Sequence, residues 1–92
     1  IATDKVSNNV LKVLYAALHG RVDGLLVPIG KQKWGRYNRD TDEIIVHDTF
    51  EPGDEDLFDM LALQTLLTNG KVYPVNNDQL PGNAPVVAIF RY

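Results

Sequence analysis

The chain has 92 residues, of which 45% are hydrophobic, and a formal net charge of −3. This length is sufficient for a globular core, and we expect residues 1–92 to form a single domain. The acidic balance argues against a protein that coats DNA, because such a protein would be basic overall. The absence of cysteine excludes disulfides, thiolate nucleophiles and cysteine-based zinc sites, and it fits a cytoplasmic protein.

The sequence also bears on membrane association and on the extent of the chain. No apolar run approaches the roughly 18–20 residues that a membrane-spanning helix requires, so we expect no membrane partner. No signal peptide is visible, and the chain begins at Ile1 rather than at methionine. We therefore expect it to be a fragment of a longer protein.

The first predicted element is a helix over residues 6–19. Its apolar residues recur at three- and four-residue spacing and therefore share one face: Val6, Val10, Val13, Leu14, Ala17 and Leu18. Thr3, Asp4 or Ser7 is expected to cap the start of this helix. His19-Gly20 is expected to end it, because glycine commonly follows the last helical turn.

Two strands and a hairpin are predicted next. The apolar run 24–29 lacks alternation, which is typical of a strand buried on both faces, and Pro28 marks its end or an irregularity. Residues 43–47 predict a second short strand. Residues 34–37 are predicted to pair back on it across the turn-forming segment 38–42.

The acidic segment 51–56 predicts the start of a second helix, which runs to about Thr68. Gly53 or Asp54 is the expected cap, and acidic side chains in the first turn suit the positive end of the helix dipole. This helix is apolar on most sides. We therefore expect a sheet to cover one side of it and the first helix, or a missing neighbour, to cover another.

The end of the chain predicts strands at 72–75 and 86–90, with a single turn or short helix at 78–82 between them. A strand, a helix and a strand in succession imply a right-handed parallel crossover. The residues expected to share one core between the second helix and the sheet are Phe58, Leu61 and Ile89.

Short segments in a fixed order carry a resemblance to a known family. They are His19-Gly-Arg-Val-Asp23 with Leu25-Leu-Val27, Trp34-Gly-Arg-Tyr37, Asp56-Leu-Phe-Asp59 with Gln64-Thr-Leu-Leu67, and Leu80-Pro-Gly82 with Ala88-Ile-Phe-Arg-Tyr92. Spanning nearly the whole chain, this order resembles the C-terminal domain of the bacterial homologues of archaeal and eukaryotic class-1 translation release factors. The same domain closes the ribosome-rescue factor Pelota. The resemblance implies an α/β three-layer sandwich with a mixed central sheet, the fold of the kink-turn-binding ribosomal proteins.

Two activities of these families do not carry over to this chain. Release factors hydrolyse peptidyl-tRNA with a Gly-Gly-Gln motif in a separate middle domain, and this chain contains no Gly-Gly pair. The kink-turn proteins bind RNA through an Asn-Glu-x-x-Lys segment after the first strand, a place taken here by Gly30-Lys-Gln-Lys-Trp34. What the resemblance implies is therefore the docking role of the domain in release factors, with a protein partner such as a translational GTPase.

One segment concentrates cations with aromatic side chains, because residues 31–39 contain four of the nine basic residues. The candidate partner- or RNA-binding residues are Lys31, Lys33, Trp34, Arg36, Tyr37 and Arg39. Such a segment can hold phosphates by charge and stack a base on Trp34. Alternatively, it is a solvated loop whose Trp34 covers the sheet edge. We expect the four cations to be exposed and Trp34 to be partly covered.

The sequence offers little for catalysis or metal binding. His19 and His47 are the only histidines and do not stand at metal-binding spacing, so we expect one at a helix end and the other at a strand end. The acidic residues of 51–59 lack the spacing of an EF-hand. We expect no catalytic residue, metal or cofactor. The predicted function is a non-catalytic protein-interaction domain of a translation- or ribosome-associated protein; the alternative is an RNA-binding module acting through residues 31–39.

Overall fold

In the computed structural model, residues 5–92 are described, and they form a mixed α/β fold with two helices and two sheets. The larger sheet has four strands in the order β1-β7-β2-β6. Its strands are β1 (Val6–Ser7), β2 (Val22–Pro28), β6 (Lys71–Val75) and β7 (Val87–Phe90). β2 and β6 are parallel, whereas β7 is antiparallel to both β1 and β2. The α/β fold with a mixed sheet is confirmed.

The smaller sheet is built on the predicted hairpin. β3 (Trp34–Asn38) pairs with β4 (Glu43–His47) in antiparallel register, which confirms the hairpin. A two-residue strand, β5 (Glu55–Asp56), adds to the other edge of β3, so the order is β4-β3-β5.

The first helix, α1 (Val10–Leu18), is shorter than predicted at its start. Val6 fits the helical spacing but lies in β1, where it pairs with Ile89 of β7. The helix begins after Asn9, whose side chain accepts a hydrogen bond from the Lys12 amide at 3.0 Å. A cap satisfies one of the free amides of the first turn. The prediction placed Val6 in the helix because the apolar spacing is local, whereas the strand partner of Val6 lies more than 80 residues away in sequence.

The other expectations for this helix have mixed outcomes. Ser7 is not the cap; it lies in β1 and accepts a hydrogen bond from the Asn9 amide at 3.2 Å. Thr3 and Asp4 lie outside the described residues. His19-Gly20 ends the helix as predicted, and Gly20 has the left-handed conformation (φ +71°) that glycine favours.

The second helix, α2 (Leu57–Leu67), ends at Thr68 as predicted but begins later than expected. Asp56, rather than Gly53 or Asp54, is the cap. Its carboxylate accepts hydrogen bonds from the Phe58 amide at 3.0 Å and from the Lys33 amide at 3.1 Å. This second bond ties the start of α2 to the chain just before β3.

Both helices pack on one face of the larger sheet. The core there joins side chains of α1 and α2 to alternate residues of the central strands: Val13, Leu14, Leu25, Leu61, Ala88 and Phe90. Leu26 and Val87 project to the opposite face and pack against Leu80 and Ala84. These two come from the segment of two 3-10 turns, Asn77–Gln79 and Pro81–Asn83, which confirms the predicted turn at 78–82.

Period-two alternation explains one wrong core assignment. Phe58 and Leu61 are buried as predicted, but Ile89 is 46% exposed. The neighbours of Ile89 in β7, Ala88 and Phe90, face the helices and are buried. Ile89 therefore projects to the opposite face, where it meets Gly24 and Val6.

The smaller sheet is fixed to the helical layer at several points. Gly35 permits the closest approach, because a Cβ atom there would clash with the Ile45 carbonyl oxygen and lie 2.6 Å from Leu57 Cδ1. The Ile44 amide donates a hydrogen bond to the Tyr15 hydroxyl of α1 at 2.9 Å.

The turn of the hairpin is fixed to α1 as well. The Asp42 carboxylate accepts a hydrogen bond from the Tyr37 hydroxyl at 2.8 Å and lies 3.1 Å from His19 Nε2. The hydrogen bond from Tyr37 is the main reason that the pKa of Asp42 lies below its ordinary value. The hairpin is therefore attached to the helices at both ends.

Candidate functional site

The structure divides the predicted binding segment between different surfaces, because part of it is a strand. In β3, successive side chains point to opposite faces. Trp34 and Arg36 project outward, opposite His47 and Ile45 of β4 in the strand register. Tyr37 projects inward and packs against the core. The six candidate residues therefore do not share one surface.

The cations of this segment lie at separate places. Lys31 and Lys33 precede β3 and line a pocket of about 220 Å³ together with Phe58. Arg39 lies beyond the other end of β3, in the hairpin turn. Lys31, Arg36 and Arg39 are exposed, as expected, whereas Lys33 is half-buried, contrary to the expectation.

The outward side of the hairpin sheet carries a group of large apolar side chains. We call the surface formed by Trp34, Arg36, Ile45, His47 and Phe50 the outer face. Trp34 is partly covered, as predicted, and its ring meets the Phe50 ring edge-on with centroids 5.0 Å apart. Phe50 is 56% exposed and Ile45 is 52% exposed. Exposed apolar side chains that cluster in this way mark interaction surfaces more often than apolar side chains that are exposed singly.

A buried carboxylate lies beneath the outer face. The Asp54 side chain has no exposed surface, and its carboxylate accepts hydrogen bonds from three donor groups. Its donors are Arg36 Nε at 3.0 Å, His47 Nδ1 at 2.8 Å and the Glu51 amide at 2.9 Å. Arg36 also donates to the Pro52 carbonyl at 2.7 Å. These bonds connect both strands of the hairpin to the loop that follows it.

The donors determine the charge state of Asp54. Burial by itself raises the pKa of a carboxyl group. Hydrogen bonds from His47, from the Glu51 amide and from Arg36 outweigh this effect, so the pKa of Asp54 lies below its ordinary value. Asp54 is therefore ionised at neutral pH and holds Arg36 and His47 in fixed orientations.

Sequence reasoning missed this role of Asp54 and assigned the residue to a helix cap. The segment 51–59 contains five acidic residues, and their spacing does not indicate which one turns under the hairpin. The available signal is the Pro52-Gly53 pair, which is typical of a turn. Gly53 has φ +91° and would place a Cβ atom 3.6 Å from the Arg36 guanidinium carbon, so the turn brings Asp54 beside Arg36.

The two histidines have different surroundings. His47 ends β4 as predicted, and the Asp54 carboxylate orients its ring, a pattern also found in nucleophilic triads. Its Nε2 atom, however, lies 3.6 Å from the Glu51 carboxylate instead of facing a hydroxyl or thiol. His19 ends α1 and pairs with Asp42. Within residues 5–92, no group of three or more histidine or acidic side chains is arranged to hold a metal ion.

Comparison with known proteins adds no family assignment. No protein-family model matches the chain, and no curated protein matches it. The resemblance to the release-factor domain therefore stays a prediction. In the part of the chain that the structure describes, no helix is long and apolar enough to cross a membrane.

Proposed function

We propose that the chain is a non-catalytic protein-interaction domain of a cytoplasmic, translation- or ribosome-associated protein. Its outer face binds a protein partner such as a translational GTPase. The observation that carries this proposal is the pair of exposed side chains, Phe50 and Ile45, beside a partly covered Trp34. Aromatic residues and arginine are the side chains most often found at the centres of protein interfaces.

The buried network beneath the outer face supports a binding role. Binding normally costs free energy, because side chains lose freedom when they are ordered in an interface. Here Arg36 is already held by Asp54 and the Pro52 carbonyl, and Trp34 is held against Phe50. A partner therefore meets a surface that is ordered in advance. The link to translation rests on the release-factor resemblance alone.

The distribution of cations favours a protein partner over RNA. A phosphate backbone is bound by a continuous track of free cations. Arg36 is instead engaged by Asp54 and Pro52, and it lies between Lys31 and Lys33 at one end of β3 and Arg39 at the other. RNA binding through residues 31–39 is the alternative function, and the experiment must distinguish it from the binding of a protein partner.

The proposal is tested with the full-length protein and purified ribosomes or a translational GTPase. Phe50→Ser removes an exposed ring of the outer face, and Tyr73→Ser is a matched control because Tyr73 is similarly exposed on the larger sheet. We expect Phe50→Ser to weaken binding by at least about tenfold and Tyr73→Ser to leave it unchanged. Equal binding of the two variants would refute the outer face as the docking surface.

A double charge variant tests the RNA alternative. Lys31→Gln combined with Lys33→Gln removes two cations without changing any residue of the outer face. If the domain binds protein, this double change has little effect on the affinity. If it binds RNA, the double change weakens binding to all RNA sequences and reduces its salt dependence.

A further inference from the structure

A cleft lies on the inward side of the hairpin, away from the outer face. This cleft of about 590 Å³ separates the turn of the hairpin from α2. Tyr37 and Arg39 form its hairpin wall, and Leu18, Met60 and Leu63 form its helical wall. This volume lies within the range of about 300–1,000 Å³ that is typical of ligand-binding clefts.

The helical wall continues as an apolar stripe along α2. Met60, Leu63 and Leu67 follow at three- and four-residue spacing, so they lie on the same side of the helix. Leu63 is 54% exposed and Leu67 is 66% exposed. The sequence predicted that either the first helix or a missing neighbour covers the second side of α2. In the structure α1 packs against α2, but α1 and the sheet leave these leucines uncovered.

The other end of the same cleft is acidic, because three carboxylates, those of Glu55, Asp56 and Asp59, outnumber the single cation of the lining, Arg39, which belongs to the hairpin wall. Glu55 and Asp59 line it, both are exposed, and neither forms an ion pair with any of residues 5–92. Asp56 lies between them but is committed to capping α2. The cleft thus presents two available carboxylates at the start of α2 and leucines toward its end. A ligand complementary to this arrangement carries cations at one end and apolar side chains at the other.

We propose that this cleft binds an amphipathic basic helix of a partner protein. Leucine-type side chains of that helix pack on Met60, Leu63 and Leu67, and its lysine or arginine side chains pair with Glu55 and Asp59. Binding of an amphipathic helix in an apolar groove is a common mode of peptide recognition. This site shares no side chain with the outer face, so the domain has two separate binding surfaces.

The experiment uses two model helical peptides, one built from leucine and lysine and the other from leucine and glutamate at the same spacing. Binding to the full-length protein is measured by calorimetry. We expect the leucine–lysine peptide to bind at least about tenfold more tightly than the leucine–glutamate peptide. The double variant Glu55→Lys/Asp59→Lys should reverse this preference. Leu63→Gln should weaken the binding of the leucine–lysine peptide at least about tenfold.

Three control variants separate this site from the rest of the surface. Asp40→Lys changes an exposed charge in the hairpin turn, and Leu11→Gln changes an exposed leucine of α1. Neither should alter peptide binding. Phe50→Ser should also leave peptide binding unchanged. The proposal for the outer face and the proposal for the cleft can therefore be refuted independently of each other. Equal affinity of the wild type for both peptides, or a loss as large in the controls as in Leu63→Gln, would overturn the inference.

Discussion

Replacing Leu61 with alanine tests the placement of α2 on the sheet. Leu61 is fully buried in the core that joins both helices to β2 and β7. Truncating such a leucine removes three carbon atoms and leaves a cavity, which costs about 2–5 kcal/mol of unfolding free energy. For a domain of this size, each kcal/mol lowers the melting temperature by roughly 4–8 °C. We therefore expect Leu61→Ala to melt at least roughly 8 °C below the wild type.

Leu63 provides a matched control on the same helix. It has the same side chain but is 54% exposed, so Leu63→Ala should change the unfolding free energy by no more than about 0.5 kcal/mol. Urea unfolding followed by the fluorescence of Trp34, the single tryptophan, measures both variants under the same conditions. Similar losses for the two substitutions would show that α2 does not pack on the sheet as described.

Three further predictions concern the network and the backbone. The pKa of Asp54 is lowered on folding, so the ionised carboxylate stabilises the folded state above the ordinary aspartate pKa, and this stabilisation is lost as pH falls through the lowered value. The melting temperatures of wild type and Asp54→Asn should therefore differ most near neutral pH and converge in acid. A difference that stays constant with pH would contradict this. Gly35→Ala should destabilise by about 1–3 kcal/mol because its Cβ atom meets backbone and core, whereas Gly24→Ala, with 3.8 Å to its nearest neighbour, should be tolerated in the same urea assay. Asp56→Ala should cost about 0.5–2 kcal/mol through loss of the helix cap, and Asp56→Asn should recover most of that stability; identical unfolding of these two variants would rule out the cap.

The regular elements could be predicted because their signals are local. The apolar runs of β2 and β7, the turn residues between β3 and β4, and the Asn69-Gly70 stop after α2 each lie within a few residues of the element they define. The wrong assignment of a strand residue to the first helix came from long-range pairing. Val6 matches a helical pattern, and only its partner Ile89 makes it a strand.

The site was harder to predict because strand alternation and contacts that are distant in sequence together decide which side chains share a surface. Residues 31–39 form one cluster in sequence, but a strand sends neighbouring side chains to opposite faces, so Arg36 and Tyr37 separate. The partners of Arg36 lie 16 and 18 residues further along the chain. The residues of the outer face were therefore only partly identified: Trp34 and Arg36 were candidates, whereas Ile45, Phe50 and the supporting Asp54 were not.

Salt dependence of partner binding separates protein docking from RNA binding most directly. Affinity of the full-length protein for a purified translational GTPase is measured across a salt series with and without ribonuclease, and its affinity for ribosomes is measured across the same salt series without ribonuclease. An interface centred on Phe50 and Ile45 should retain its affinity at high salt and after ribonuclease, because apolar burial does not depend on phosphate contacts. Binding in the micromolar range that weakens steeply with salt and is lost on changing Lys31 and Lys33 would contradict protein docking and establish RNA binding instead.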